Sequence, residues 1–231
     1  ISPTNGFQPL WMWILVPIAR VAGGDVNLLL LVVQGVCVAI FAVAGGLLCG
    51  VVRARIGLVP ALVAGLLLFF PRIENASLSG MEAALFLLIF AALIIEALRS
   101  GALSNPEPRA SDARTGALVG LLMLARLDSV FVGLTLAAWV GVQGLSGAEG
   151  TPAERLLRTA RKGLVVFWPA VLLLVPYLAW NRLEFGHFVP ISGSLKTSFP
   201  VPGFNPGHLN AEHVALLALA LAGIGVETRR G

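Results

Sequence analysis

An arginine and an aspartate, Arg126 and Asp128, stand two positions apart inside the apolar run GLLMLARLDSVFVGL at 120–134. A charge at the centre of a membrane helix costs at least about 2.5 kcal/mol on insertion scales, so such residues mark either a site or a fixed ion pair. On a helix, a spacing of two turns the side chains to nearly opposite sides and makes them poor partners for each other. Arg126 is then expected to meet Glu82, in SGMEAALF, or a bound anion, and Asp128 to meet a cation or a hydroxyl. The plainer alternative is that Arg126 and a carboxylate simply tie two helices together. A second group lies in PISGSLKTS, where Ser192, Ser194 and Lys196 alternate. An extended strand puts all three on one edge. Two hydroxyls and an ammonium suit a phosphate, with the lysine acting as a point charge; an ordinary polar loop has the same composition.

The elements that must position these residues are set by an unusual composition. Of 231 residues, 57% are hydrophobic and 12% charged, about half the charged fraction of a soluble domain. With a mean hydropathy of +0.89, the chain reads as an integral membrane protein. Its net charge of +4 does not indicate nucleic acid, because the basic residues are scattered and form no stripe interleaved with aromatics. Cys37 and Cys49, twelve positions apart in one apolar segment, are too distant along a helix to pair.

Crossing a hydrocarbon core of about 30 Å takes about twenty helical residues. The fold expected is therefore all-α, a polytopic transmembrane helical bundle. Its expected crossings are 26–50, 56–71, 78–98, 115–127, 129–145, 164–181 and 213–227. The shorter run 10–22, with Pro17 and tryptophans near its start, reads as an interfacial or re-entrant helix. Residues 1–25 form an outer segment, 26–181 the bundle, 182–212 an extracytoplasmic loop and 213–231 a last, cut span. Both ends look truncated, as in a piece of a larger protein.

Orientation follows from the lysine and arginine bias of short loops. Eleven of the sixteen basic residues fall in alternate connections: Arg53, Arg55, Arg99, Arg109, Arg114, Arg155, Arg158, Arg161, Lys162, Arg229 and Arg230. That side is read as cytoplasmic, and its loops RSGALSNPEPRASDART and SGAEGTPAERLLRTARKG as tethers. The ionisable residues near membrane depth then fall on the other side, where Glu82, Arg126, Asp128, Asn181, Arg182, Glu184 and Lys196 converge. Arg72, Arg182 and Glu184 read as solvated span ends, and Glu96 as a snorkelling partner of Arg99. The loop after Arg182, rich in Gly, Pro, Ser and Phe, can form an ordered cover over a site. His187, His208 and His213 lack metal-ligand spacing, so no metal site is expected. Asn75–Ser77 fits the glycosylation acceptor pattern, a match too short to decide anything.

The order of four motifs resembles that of a known family. NGFQPLW (Asn5–Trp11), SGMEAALF (Ser79–Phe86), ARLD (Ala125–Asp128) and PYLAWNRLEFGHFVPISGSLK (Pro176–Lys196) occur with spans between them. Together they resemble the GT-C superfamily of membrane-embedded glycosyltransferases, particularly the actinobacterial arabinofuranosyl and mannosyl transferases. The resemblance covers nearly the whole chain. It implies a transferase that uses a polyprenyl-phosphate-linked sugar at the extracytoplasmic face of a bacterial plasma membrane, with inversion, and a glycan or lipid of the cell envelope as acceptor. Fourteen arginines against two lysines fit a GC-rich bacterial genome. No cofactor is implied.

On this resemblance Arg126 and Lys196 hold the donor phosphate. Glu82 and Asp128 orient sugar hydroxyls or hold Arg126, Ser192 and Ser194 also orient the substrate, and Asn5 and Gln8 line the acceptor or donor. The family's catalytic carboxylate normally precedes the NG..PLW stretch, which places the base upstream of Ile1. The family's arginine motif often carries a proline where this chain reads RLD, which leaves sugar specificity open. The rival reading is a secondary transporter of a small polar or anionic solute, which predicts charges at mid-helix, discontinuous helices and related halves.

Overall fold

The computed structural model describes residues 8–69, 73, 78, 82–101, 105, 107–146 and 150–188. Among these, the regular elements are all helical. They are α1 (Pro9–Ala22), α2 (Val26–Arg55), α3 (Leu58–Leu68), α4 (Ala83–Ser100), α5 (Ala110–Ala125), α6 (Val130–Ser146) and α7 (Pro152–Phe185), with a 3-10 turn at Leu127–Ser129 joining α5 to α6. The expected span 213–227 and the loop beyond Phe188 lie outside the described residues.

Local chemistry sets the helix ends. Gly23 closes α1 in the left-handed region at φ 59°, where a glycine carries no Cβ penalty. The Asp25 carboxylate then caps α2 by accepting from the Asn27 and Leu28 backbone N–H groups at 2.9 and 3.1 Å. At α7, the Thr151 hydroxyl accepts from Glu154 N, and the Glu154 carboxylate accepts in return from Thr151 N. Pro152 sits in the first turn, where its missing N–H costs nothing.

Four helical segments are long and apolar enough to cross a membrane: Val26–Arg55, Ala83–Ser100, Leu127–Leu145 and Pro152–Phe185. The expected crossing 56–71 contains a described helix of 11 residues, which rises only about 16 Å. The expected crossing 115–127 begins five residues earlier, at Ala110, because Asp112 Oδ2 accepts from Arg109 N at 2.8 Å and organises the first turn. It stops at Ala125, where Arg126 turns extended with φ −151° and ψ 120°.

Heptad-like spacing selects the inward faces. Val33, Cys37 and Phe41 on α2 and Leu85, Ile89 and Leu93 on α4 recur every four residues. They meet Trp11, Val119, Leu122 and Ala170 in one core. The outward faces are equally apolar: Leu30, Leu31, Val38 and Val43 on α2 and Leu164, Val171, Leu172 and Val175 on α7 are exposed. A helix hydrophobic all round is a buried or membrane helix, and here the exposed half faces whatever surrounds the bundle.

Among the described residues, the α5–α7 interface is the most extensive. Gly116 and Gly120 make it possible. A Cβ at Gly116 would stand 1.6 Å from Val166 O, and one at Gly120 2.8 Å from Ala170 Cα. The backbones thus touch in the small-x-x-x-small manner of membrane helix pairs.

Polar contacts fix two ends of the bundle. Arg55 Nη2 donates to Leu98 O, Arg109 Nη1 to Ser100 O and Arg155 Nη1 to Leu145 O, which gathers the ends of α2, α4 and α6 with the starts of α5 and α7. This is the basic end, with nine basic and four acidic residues among those described. The opposite, acidic end carries Asp25, Glu82, Asp128 and Glu184 against Arg20, Arg126 and Arg182. Both ends of α1 lie there: Leu10 packs near Leu124 and Tyr177, and Ala22 leads into Asp25.

Candidate functional site

At the acidic end, the break between α5 and α6 creates the charged cluster. Arg126 leaves the helix in an extended conformation, and the 3-10 turn that follows folds Asp128 back beside it. Arg126 Nη2 and Nε donate to Asp128 Oδ2 and Oδ1 at 2.7 and 3.1 Å, a bidentate pair. The sequence-based reading of these two as poor partners is therefore corrected. It assumed a continuous helix, and the chain is not helical between Ala125 and Leu127. Glu82, at the start of α4, stands 3.8 Å from Arg126 Nη1. The hydrogen bond to Asp128 raises the guanidinium's proton affinity above its ordinary value against the opposing effect of burial, with further support from the charges of Asp128 and Glu82.

The cluster is graded in exposure. The Glu82 side chain is 12% exposed, that of Arg126 36% and that of Asp128 58%, so the carboxylate facing solvent is Asp128. Ser129, in the same turn, is buried with its hydroxyl unpartnered, and the Gln8 side-chain oxygen at the start of α1 is buried without a partner as well. Among the expected site residues, the structure brings Arg126, Glu82 and Asp128 together and buries Gln8 Oε1. Asn5, Ser192, Ser194 and Lys196 lie outside the described residues.

The end of α7 is also ordered by polar contacts. Asn181 is wholly buried and donates through Nδ2 to Phe188 O at 3.4 Å. Arg182, read from sequence as a solvated span end, donates to Gly186 O, and its guanidinium lies 5.6 Å from the Phe188 ring centre. These contacts turn the chain back over the end of α7.

A second charged group occupies the basic end, where none was expected. Lys162 Nζ lies 2.9 Å from Asp112 Oδ2, with side-chain exposures of 3% and 0%. The ammonium also donates to the carbonyls of Asn105 and Glu107 at 2.9 and 3.3 Å. Arg158 pairs with Glu107 at 3.2 Å. The described parts of the segments read as tethers are therefore pinned, since α5 and α7 both extend into them and carry these ion pairs. Glu96 pairs with Arg114 on the neighbouring helix at 3.2 Å, in place of the Arg99 contact expected from spacing. Asp112 and Lys162 do not stand out in the sequence because both sit among other charges. The available signals were an acidic residue in the first turn of a helix and GALVG at 116–120, whose glycines bring α7 close enough to seal the pair.

Among the described residues, no group of three His, Cys, Asp or Glu side chains is placed to hold a metal ion. No protein-family model matches the chain, and neither a curated protein nor a solved structure is similar enough to it to count as a match.

Proposed function

We propose that the chain is the membrane-embedded part of a glycosyltransferase that moves a sugar, with inversion, from a polyprenyl-phosphate donor to a cell-envelope glycan or lipid. The site faces the extracytoplasmic side of a bacterial plasma membrane, and the bundle has about seven crossings. One observation carries the reading beside the motif order: Arg126, Glu82 and Asp128 draw together at the acidic end of the bundle. Their location at an end favours this reading over the transporter, whose coupling charges sit near the bilayer midplane.

The charge balance of the cluster refines the roles. Two carboxylates around one guanidinium leave the group at net −1, so an anion is held there only with a further cation. In this reading Lys196 supplies it, and the Ser192 and Ser194 hydroxyls donate hydrogen bonds. Asp128 and Glu82 fix the guanidinium plane, and the exposed Asp128 accepts from sugar or acceptor hydroxyls. As the sugar leaves, charge grows on the lipid phosphate. Preorganised cations in a poorly hydrated site are worth most at that moment.

The test is sugar transfer from a labelled polyprenyl-phosphate donor by membranes containing the full-length protein, compared with Arg126→Ala and Lys196→Ala. Each change is expected to lower kcat/KM by about 100-fold or more, the loss typical of removing one charge-stabilising donor. Transfer indifferent to both substitutions sinks the assignment.

A further inference from the structure

The geometry points to a binding groove for an anionic diacyl phospholipid on the flank of the bundle near the basic end. This inference goes beyond the transferase reading and does not depend on it. Between α4, α5 and α6 lies a cavity of about 460 Å³, walled by Leu93, Ile94, Val132, Leu136, Trp139 and Thr115. Thr135 and Trp139 are exposed at its rim, so it opens sideways. Two of its three walls, α4 and α6, belong to segments long and apolar enough to span a membrane. In a bilayer, the medium facing the opening is acyl chain.

A hydrocarbon chain alone leaves one requirement unmet. Thr115 is wholly buried on the groove wall, and its hydroxyl has no hydrogen-bond partner among the described residues. An unsatisfied buried hydroxyl is costly, and the ligand best suited to relieve it is apolar along its length with an acceptor at one end. An ester carbonyl at the top of an acyl chain fits. The next residue, Arg114, carries a 73% exposed guanidinium whose Nε pairs with Glu96. A guanidinium has five N–H donors, more than one carboxylate takes up, so Arg114 can also take a lipid phosphate. The surplus of positive charge at this end favours an anionic headgroup over a zwitterionic one.

The experiment is native mass spectrometry of the full-length protein in non-ionic detergent with added phosphatidylglycerol or phosphatidylcholine of identical chains. Phosphatidylglycerol is expected to be retained several-fold better. Arg114→Gln is expected to bring the two lipids to parity. Thr115→Val weakens both by about fivefold, the worth of one net hydrogen bond. Thr135→Trp fills the groove from an exposed position and displaces both lipids, with the thermal midpoint in lipid-free detergent unchanged. Equal retention of the two lipids by the unaltered protein overturns the proposal, as does retention insensitive to Thr135→Trp. Preferential retention of a polyprenyl phosphate would assign the groove to a prenyl chain and overturn it too. None of these residues belongs to the Arg126 cluster, so sugar transfer and lipid retention fail separately.

Discussion

Replacing Lys162 with methionine should destabilise the protein more than any other single charge removal at the basic end. The ammonium lies 2.9 Å from a carboxylate with no exposed surface, and the other oxygen of that carboxylate, Asp112 Oδ1, has no partner. Without Lys162, Asp112 keeps only the Arg109 N–H, and the Asn105 and Glu107 carbonyls lose their shared donor. Leaving one member of a buried pair uncompensated costs about 3–5 kcal/mol. At roughly 2–4 °C per kcal/mol for a chain of this size, the thermal midpoint in detergent should fall by about 10 °C. Replacing both members, Asp112→Leu with Lys162→Met, removes the stranded charge. It should recover more than half of that loss, with the remainder reflecting the N-terminal hydrogen bond of α5 and the two carbonyls. Intrinsic tryptophan fluorescence or size-exclusion survival after heating reads all four proteins of the cycle. A Lys162→Met protein as stable as the parent, or a double variant that loses the sum of the two singles, refutes the coupling.

Other changes probe different links. Gly116→Ala forces a Cβ onto the Val166 carbonyl and should cost about 1–3 kcal/mol by overpacking, seen as a lower thermal midpoint; the same change at the open position Gly141 should have no such effect. Asp25→Ala removes the cap shared by Asn27 and Leu28 and should cost about 1 kcal/mol by the same measurement, with Asp25→Asn recovering most of it. At the acidic end, Glu82→Gln should lower kcat/KM for sugar transfer by about 10–100-fold through a misplaced Arg126 guanidinium while changing the midpoint little. A large loss of stability without a specific loss of transfer would make Glu82 a structural tie.

The apolar segments were legible because a membrane helix must satisfy its backbone internally and present hydrocarbon outward, and composition alone reports both. The convergence of Glu82 on Arg126 was legible for a related reason: a charge at the end of an apolar run demands a partner. The Arg126–Asp128 pair was not. Side-chain direction depends on backbone conformation, and no residue in ARLD announces that the helix breaks at Arg126. Nor could hydropathy show which apolar face packs inward. Leu30 and Val33 read alike, yet one is exposed and the other is core. Asp112 and Lys162 were hidden by their setting, since small residues and scattered charges look like a tether. Only the close approach permitted by Gly116 and Gly120 makes that segment a sealed interior.

Donor chemistry is read by reconstituting the full-length protein in liposomes with a labelled sugar carried either on polyprenyl phosphate or on a nucleotide. Transfer to an added envelope acceptor is expected from the lipid-linked donor, none from the nucleotide sugar, and loss of transfer with Arg126→Ala. Transfer from the nucleotide sugar, or accumulation of free solute inside the liposomes without any transfer, contradicts it.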